Sequence, residues 1–367
     1  MFTPLDQTYM RRALDLAERG LYTTTPNPHV GAVVVKDNRI IGEGWHQVAG
    51  EPHAEVNAIR DAKQKIGETA VKGAALYVTL EPCSHQGRTL PCADLLIAEG
   101  ITRVVAAMED PNPKVAGQGF ARLRAAGVDV RVGLLESDAR ELNIGFISRM
   151  TRGLPWVRLK VAASLDGKTA LANGKSQWIT GPEARKDGHA YRARSCAILT
   201  GIGTVMEDNP QLNVREVTTA RQPLKVIVDS ALQTPLTARI LQDAQVLIVH
   251  ARGSELASKA LVDKGFEVLS LPNRDGKVDL AALMQGLAQR HLNEIHVESG
   301  FKLNGSMLRE NCVDELLIYF AASIIGDTGQ GMFNLPELTD LEQRRKVRIH
   351  RVSQLGGADL RLIARLD

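Results

Sequence analysis

Cysteine is scarce in this chain: Cys83, Cys92, Cys196 and Cys312 are the only four among 367 residues. So few thiols over such a length exclude a secreted disulfide framework. Long apolar runs are also lacking. None approaches the roughly 20 residues needed to span a bilayer, so no membrane association is expected. Basic blocks are absent as well, with no run of five Lys or Arg and a formal net charge of only +3. A dedicated nucleic-acid binder usually carries a basic stripe, and no nucleic-acid partner is expected. An anionic small molecule needs only a few local Arg or Lys and stays compatible with this composition. The N-terminal stretch holds Asp6, Arg11, Arg12, Asp15, Glu18 and Arg19, which suits an amphipathic helix and not a signal peptide. There is no internal repeat and no low-complexity segment. The expectation is a cytoplasmic protein that forms a homo-oligomer.

What is present is an ordinary globular composition, 44% hydrophobic and 24% charged, in a chain long enough for two domains with their own cores. Met10, Ala13, Leu14 and Ala17 mark a helix over 6–18 by their spacing. Thr25-Pro26-Asn27-Pro28 cannot be helical, because each proline biases its predecessor to extended geometry. Apolar runs at 30–35 and 40–45 flank Asp37-Asn38, a hairpin signature. A helix from about His53 to Lys65, a strand at 75–80, and an alternation of helices and strands to 132 imply an α/β domain with a mixed or parallel sheet. The pattern lapses over 145–155, among Arg149, Arg152, Gly153 and Pro155, which suggests a boundary. A second series then predicts strands at 157–163, 197–200, 225–229, 245–250, 267–271 and 294–298, with helices at 256–264 and 280–290. Alternation at Val347/Ile349 and Leu360/Leu362/Ala364/Leu366 predicts half-buried strands near the end.

The chemistry concentrates in His53-Ala54-Glu55, Pro82-Cys83 and Cys92. One imidazole and two thiols suit zinc, and three protein ligands leave a fourth position for a water whose pKa then falls to about 7. H-x-E followed by P-C and a second cysteine is the zinc deaminase signature. Ala54, Ala58, Ile59 and Ala62 share a helix face with Glu55 at its centre, and a carboxylate on a packing face is unfavourable unless it has a partner or a task. Glu55 is therefore read as the catalytic proton carrier, and His53, Cys83 and Cys92 as ligands of one zinc. A closed structural site, with His85 as fourth ligand, is the alternative, but it gives Glu55 no purpose. Cys196 and Cys312 lie beside apolar residues and read as small buried hydrophobes. Eight residues separate the two ligand cysteines; this loop brings Arg88, which can bind an anionic substituent. Asn27 and His46, at loop and strand ends before the zinc helix, are candidate substrate contacts.

The second half has no nucleophile or metal motif. Ala197 to Thr204 is an apolar strand running into glycines, and Val297-Glu298-Ser299-Gly300 is a strand ending in glycine before a helix that holds Ser306. Such turns let backbone amides approach a phosphate, although either is also compatible with a plain loop. Lys160 and Asp208 are candidate polar groups for binding or catalysis.

These features together resemble the bifunctional deaminase–reductase family of riboflavin biosynthesis over the whole chain. The first half shows Thr25-Pro26-Asn27-Pro28, Gly42-Glu43-Gly44-Trp45-His46, Glu51-Pro52-His53-Ala54-Glu55 and the segment from Glu81 to Cys92, whose wide cysteine spacing is normal in that family. The second shows Ala163-Ser164-Leu165-Asp166-Gly167-Lys168, Ser176-Gln177-Trp178-Ile179-Thr180, Thr204 through Asp208-Asn209-Pro210, and Glu298-Ser299-Gly300. The resemblance implies an α/β protein of two domains: a cytidine-deaminase-like three-layer domain over 1–147 and a dihydrofolate-reductase-like domain over 153–367. It implies zinc-dependent deamination of a phosphorylated pyrimidine, then NADPH-dependent reduction of its ribosyl group. By motif, Ala162, Trp178, Thr204, Asp208, Ser230 and the run Gly300, Phe301, Lys302, Leu303, Asn304, Gly305 and Ser306 would line the NADP site. Ser176, Arg192, Leu212, Arg215 and Glu298, with Lys160, would meet the substrate. Competing readings are a nucleoside or tRNA deaminase with an unrelated second half, against which the low charge speaks, and a non-catalytic dimerisation module after residue 153.

Overall fold

A reciprocal cap starts the first helix. The Thr3 hydroxyl accepts from the Asp6 N–H, the Asp6 carboxylate accepts from the Thr3 N–H at 2.7 Å, and Pro4 is pre-set for the first turn. The computed structural model describes residues 1–84, 90–113, 115–242 and 245–366. They fall into two units, Met1–Gly153 and Leu154–Asp367.

The first unit runs α1 (Pro4–Glu18), β1 (Gly31–Lys36), β2 (Arg39–Trp45), α2 (Ala54–Ile66), β3 (Ala75–Val78) and α3 (Cys92–Ala98). It continues with β4 (Arg103–Ala106), α4 (Gln118–Ala125), β5 (Asp129–Val132), α5 (Glu136–Leu142) and α6 (Ile144–Arg152). The sheet order is β2-β1-β3-β4-β5, antiparallel up to β3 and parallel beyond it. Asp37 and Asn38, at φ 51° and 58°, make the hairpin turn with the positive dihedrals that match strand twist. Alternate residues face opposite layers: Ala32, Val34, Leu76 and Val104 pack under α2, α3 and α4, while Val33, Val35, Tyr77 and Val105 pack against α1. Helix α2 lies directly on β2. A Cβ on Gly42 would stand 2.3 Å from the Ala58 carbonyl oxygen, and one on Gly44 2.3 Å from the Ala58 nitrogen. Only glycine permits this approach, and it sets where the first turn of α2 falls.

The interval that reads as a lapse in pattern is helix α6, closed by Gly153 in the left-handed conformation at φ 69°. Arg149 and Arg152 occupy its last turn, where cations suit the helix dipole.

The second unit runs β6 (Trp156–Ser164), β7 (Lys168–Ala170), α7 (Pro182–Arg194), β8 (Ala197–Gly201), α8 (Ile202–Asp208), β9 (Leu224–Val228) and β10 (Val246–His250). Then come α9 (Glu255–Val262), β11 (Glu267–Ser270), α10 (Leu280–Gln289), β12 (Glu294–Glu298) and α11 (Phe301–Arg309). The unit closes with β13 (Glu315–Ala321), β14 (Gln330–Gly331), β15 (Val347–Leu355) and β16 (Asp359–Leu366). Nine strands form a sheet ordered β11-β10-β9-β8-β12-β6-β13-β16-β15. Pairing is parallel from β11 through β13 and antiparallel from there to β15. Strands β15 and β16 are as expected, but Val347 and Ile349 on the edge strand β15, and Leu360 at the start of β16, are exposed and not half-buried. The thiols of Cys196 and Cys312 are buried, as expected.

Beside the small apolar cluster of Ala184, Leu317, Tyr319 and Ile363 that packs α7 on the sheet, the sheet carries a buried ion network. Arg158 lies 3.0 Å from Glu294 and 2.5 Å from Glu315, with Arg194 2.7 Å from Glu294 and Arg365 3.3 Å from Glu315. Burial raises the Glu294 carboxyl, but Arg194 and Arg158 outweigh it and hold the group down to about 2. Removing one member strands the others in a medium of low dielectric. Arg158→Ala is expected to lower unfolding free energy by about 3–5 kcal/mol in denaturant titration. Because the folded-state pKa of Glu294 is depressed, its stabilisation is complete above the ordinary carboxylate range and disappears as pH falls towards about 2. Acid unfolding of the parent followed by circular dichroism should therefore centre below pH 4.5, the ordinary glutamate value. In Glu294→Gln the midpoint should move up.

Candidate active sites

In the first unit the site is built from two helix starts at one end of the sheet. His53 is the N-cap of α2, in extended backbone with no side-chain cap bond, so its imidazole is free to point elsewhere. Cys92 is the first residue of α3 and is buried. Its N–H donates to Cys83 Sγ at 3.3 Å, and the Ala93 N–H donates to the Cys83 carbonyl at 3.1 Å. His53 Nδ1 lies 3.6 Å from Cys83 Sγ and 3.3 Å from Cys92 Sγ. All three potential ligand atoms lie within 4.8 Å of one another. One nitrogen and two sulfurs at this spacing fit zinc, a borderline-soft ion. The electrostatics offer a cation one thiolate, and His53 must give up a proton to ligate. The Cys92 thiol beside it draws Cys83 down to about 4, a thiolate, and the hydrogen bond with Cys83 lifts His53 to about 9. Glu55, in the first turn of α2, is buried at 3% exposure, and that burial pushes its carboxyl up.

The Asn27 and His46 side chains also converge here. His46 stands edge-on to His53 with ring centroids 5.5 Å apart. Asn27 Nδ2 approaches His46 Nε2 at 3.0 Å, so that nitrogen accepts, and His46 Nδ1–H donates to the Pro52 carbonyl at 3.2 Å. Burial lowers the His46 pKa and keeps the ring neutral. Arg88 and His85 lie outside the described residues.

Sequence reasoning missed what holds the Asn27 loop. Asn143, buried between α5 and α6, accepts from the His29 N–H at 2.7 Å and donates to the His29 carbonyl at 3.0 Å across 114 residues. Nothing local in the sequence points to so distant a pairing.

In the second unit the two glycine turns come together. Strands β8 and β12 are parallel neighbours, and the Gly300 N–H, at the cap of α11, donates to Thr204 Oγ1 at 3.0 Å. Ser230 follows β9, and Ala162 lies near the end of β6. Four adjacent parallel strands, β9-β8-β12-β6, thus deliver Ser230, Thr204, Gly300 and Ala162 to their carboxyl ends, where open α/β sheets bind ligands. Asp208 closes α8 and meets Gln177 Nε2 at 3.5 Å, beside the exposed Trp178, over whose ring the Arg185 guanidinium stacks at 4.8 Å. Ser176 lies half-buried on the chain just before them. Within the run after Gly300, Lys302 is exposed, Phe301, Leu303 and Ser306 are half-buried, and Asn304 and Gly305 are buried. Asn304 accepts from Ser299 Oγ at 2.6 Å and donates to the Met332 carbonyl at 3.2 Å. A Cβ on Gly305 would stand 2.1 Å from the Asn334 carbonyl oxygen.

Glu298, at the end of β12, is the hub of the remaining polar groups. Its carboxylate takes a two-point contact from Arg192 and lies 3.6 Å from Lys160 Nζ and 3.3 Å from His296 Nε2. Burial opposes this charge, but Arg192 and Lys160 hold it ionised, well below the usual range. Arg192 also donates to the Asn213 carbonyl at 3.1 Å. The exposed Arg215 donates to Asn213 Oδ1 at 2.7 Å, and its N–H donates to His189 Nδ1 at 3.3 Å. Burial, then Arg192 and Arg215, push His189 down to about 4, so it is neutral. Leu212 is buried nearby in sequence, at φ 47°. His189 and His296 were not foreseen, since a lone buried histidine leaves no pattern.

The fold and sites define a class: a zinc-dependent deaminase unit and a reductase-type α/β unit on one chain. Residues 3–108 match the cytidine and deoxycytidylate deaminase zinc-binding region, and residues 155–358 match the RibD C-terminal domain. The chain is 46% identical over 364 residues to riboflavin biosynthesis protein RibD of Escherichia coli, covering 96% of this chain and 97% of that protein. Among solved structures it is similar to Acinetobacter baumannii RibD, with 42% identity, a TM-score of 0.89 and 99% of both chains covered. It is also similar to a diaminohydroxyphosphoribosylaminopyrimidine deaminase/5-amino-6-(5-phosphoribosylamino)uracil reductase from Thermotoga maritima, with 35% identity, a TM-score of 0.87 and 99% of both chains covered. The chain belongs to the RibD family of bifunctional deaminase–reductases.

Asn143→Ala removes both hydrogen bonds to the His29 backbone, each worth about 0.5–1.5 kcal/mol. The unfolding midpoint of the first unit is expected to drop while zinc content by elemental analysis stays at the parent level. Loss of zinc together with stability would show that Asn143 supports the ligands and not only the loop.

Proposed function

We infer that the chain catalyses two consecutive reactions of riboflavin biosynthesis. The first is hydrolytic deamination of 2,5-diamino-6-ribosylamino-4(3H)-pyrimidinone 5′-phosphate. The second is NADPH-dependent reduction of the ribosyl side chain of 5-amino-6-(5-phosphoribosylamino)uracil to ribityl. The observation that carries this reading is the His53, Cys83 and Cys92 triangle beside the buried carboxyl of Glu55, in a chain whose relatives match both halves.

His53, Cys83 and Cys92 would hold the zinc, which when bound supplies a Lewis acid and lowers the pKa of its water to about 7. Glu55 takes a proton from the attacking water onto a carboxylate oxygen and returns one to the departing amino nitrogen. A carboxyl raised by burial suits a group that must hold a proton in part of the cycle. Asn27 meets the pyrimidine edge, its amide steadied by neutral His46, and Arg88 pairs with the anionic substituent.

In the reductase half, NADPH supplies the hydride that reaches C1′ of the ribose. Gly300 and its neighbours at the start of α11, with Thr204, Ser230 and Ala162, form the proposed cofactor edge. Trp178 and Asp208 border it. Lys160, Ser176, Leu212 and Glu298 are the proposed substrate side. Arg192 is committed to Glu298 and Asn213 through three of its N–H groups, so Arg215 is the freer donor for the substrate phosphate. A homo-oligomer is expected in sedimentation, and a cytoplasmic location in cell fractionation.

Glu55→Gln is expected to keep zinc and lose deamination by at least about 10²–10⁴-fold, with reduction of the deaminated pyrimidine unchanged; near-normal deamination would assign the protons to another group. Arg215→Ala is expected to raise KM for the deaminated pyrimidine more than for NADPH, by the worth of a charged hydrogen bond, about 1.5–3 kcal/mol. Weakened NADPH binding alone would move Arg215 to the cofactor side.

A further inference from the structure

Glu81 stands two residues before the ligand Cys83 and is 4% exposed. Its two carboxylate oxygens accept four backbone N–H groups: Asp110 at 3.1 Å and Gly117 at 2.9 Å on one, Gly119 at 2.8 Å and Phe120 at 3.3 Å on the other. Gly119 and Phe120 belong to the first turn of α4, so the carboxylate satisfies orphan helix donors and faces the positive end of the dipole. The Glu81 N–H itself donates to the Met108 carbonyl at 3.0 Å. The same turn is in direct contact with the ligand segment, since a Cβ on Gly119 would stand 2.1 Å from the Pro82 carbonyl oxygen. On its other side Cys83 is held by α3, through the N–H groups of Cys92 and Ala93. The segment 81–83 is therefore gripped between the starts of two helices, and the grip on the α4 side is one buried charge.

We propose that Glu81 is a positioning residue of the metal centre: its carboxylate pins the ligand turn to the start of α4 and so fixes Cys83 Sγ relative to Cys92 and His53. This rests on the assignment of zinc to those three residues. A ligand sulfur carried on a two-residue arm from a fixed point cannot swing, and a preset donor set loses little freedom when an ion binds. In Glu81→Gln the shape is nearly kept, but the new amide N–H₂ faces N–H donors on one side, so two of the four contacts become repulsive. The segment is released without a ligand being touched.

The test uses the full chain loaded with zinc. Competition with a chromophoric chelator measures zinc affinity, and the cobalt-substituted chain reports the thiolate-to-cobalt absorption. Glu81→Gln is expected to weaken zinc about 10–100-fold, as loss of outer-sphere support does, and to alter the cobalt band, while reduction of the deaminated pyrimidine is unchanged. Gly119→Ala, which pushes on the Pro82 carbonyl from the α4 side, is expected to do the same. In the parent, coupling must be reciprocal, so removing zinc should lower hydrogen-exchange protection of the Gly117, Gly119 and Phe120 amides. This last measurement needs no variant and decides the matter if neither variant folds. Parent-like zinc affinity and cobalt spectrum in folded Glu81→Gln, or unchanged amide protection in the stripped parent, overturns the role of Glu81. A parent that binds no zinc overturns the zinc assignment itself.

Discussion

An imidazole and two thiols from three separate segments can serve one ion only if those segments end at the same place. Here that place is set by backbone contact. Gly42 and Gly44 let α2 lie directly on β2, which puts His53 at the end of the sheet where β3 leads, through Pro82, to Cys83. Helix α3 then begins with Cys92 and aims its first N–H groups at Cys83. Helix N-termini favour negative charge, so the same geometry that gathers the ligands also stabilises a thiolate among them. Glu55 follows from the same helix start: two residues beyond the ligand it is buried, and it is not part of the donor set.

The reductase half solves a comparable problem with a parallel sheet. Parallel strands all end on one side, so residues far apart in sequence, Ala162, Thr204, Ser230 and Gly300, are brought to adjacent strand ends with no special device. Charge is treated differently in two of the places where it is buried. Near the C-terminal end of α7 the Arg158 network is closed on itself, each carboxylate answered by guanidinium groups. Nearer the strand ends Glu298 is answered by Arg192, but Lys160 stays part-exposed at 3.6 Å.

Much of this was legible because the determining signals are local. His53, Glu55, Cys83 and Cys92 stand in short motifs, Asp37-Asn38 between apolar runs is a hairpin, and the buried parallel strands are short β-branched runs. The illegible parts share a physical cause, which is that their partners are remote or their pattern is not amphipathic. Helix α7 buries Ala184, Gly188, His189 and Ala193, small or polar residues that leave no apolar stripe. Strand β13, Glu-Leu-Leu-Ile-Tyr-Phe-Ala, is buried along almost its whole length, and such a run has no period to reveal it. Helix α6 was hidden by the arginines that suit its last turn. The grip of Asn143 on His29 and of Glu81 on the start of α4 depends on pairings that only the folded chain creates.

One chain thus holds two separate sites acting in a fixed order, with zinc needed only for the first. The most direct measurement follows NADPH oxidation by the full chain after zinc has been removed with a chelator. Offered the diamino pyrimidine, the stripped chain should oxidise no NADPH. Offered the deaminated pyrimidine, it should oxidise NADPH at the rate of the untreated chain, and added zinc should restore the first reaction. Undiminished oxidation with the diamino pyrimidine, or failure with the deaminated one while the chain stays folded, would contradict it.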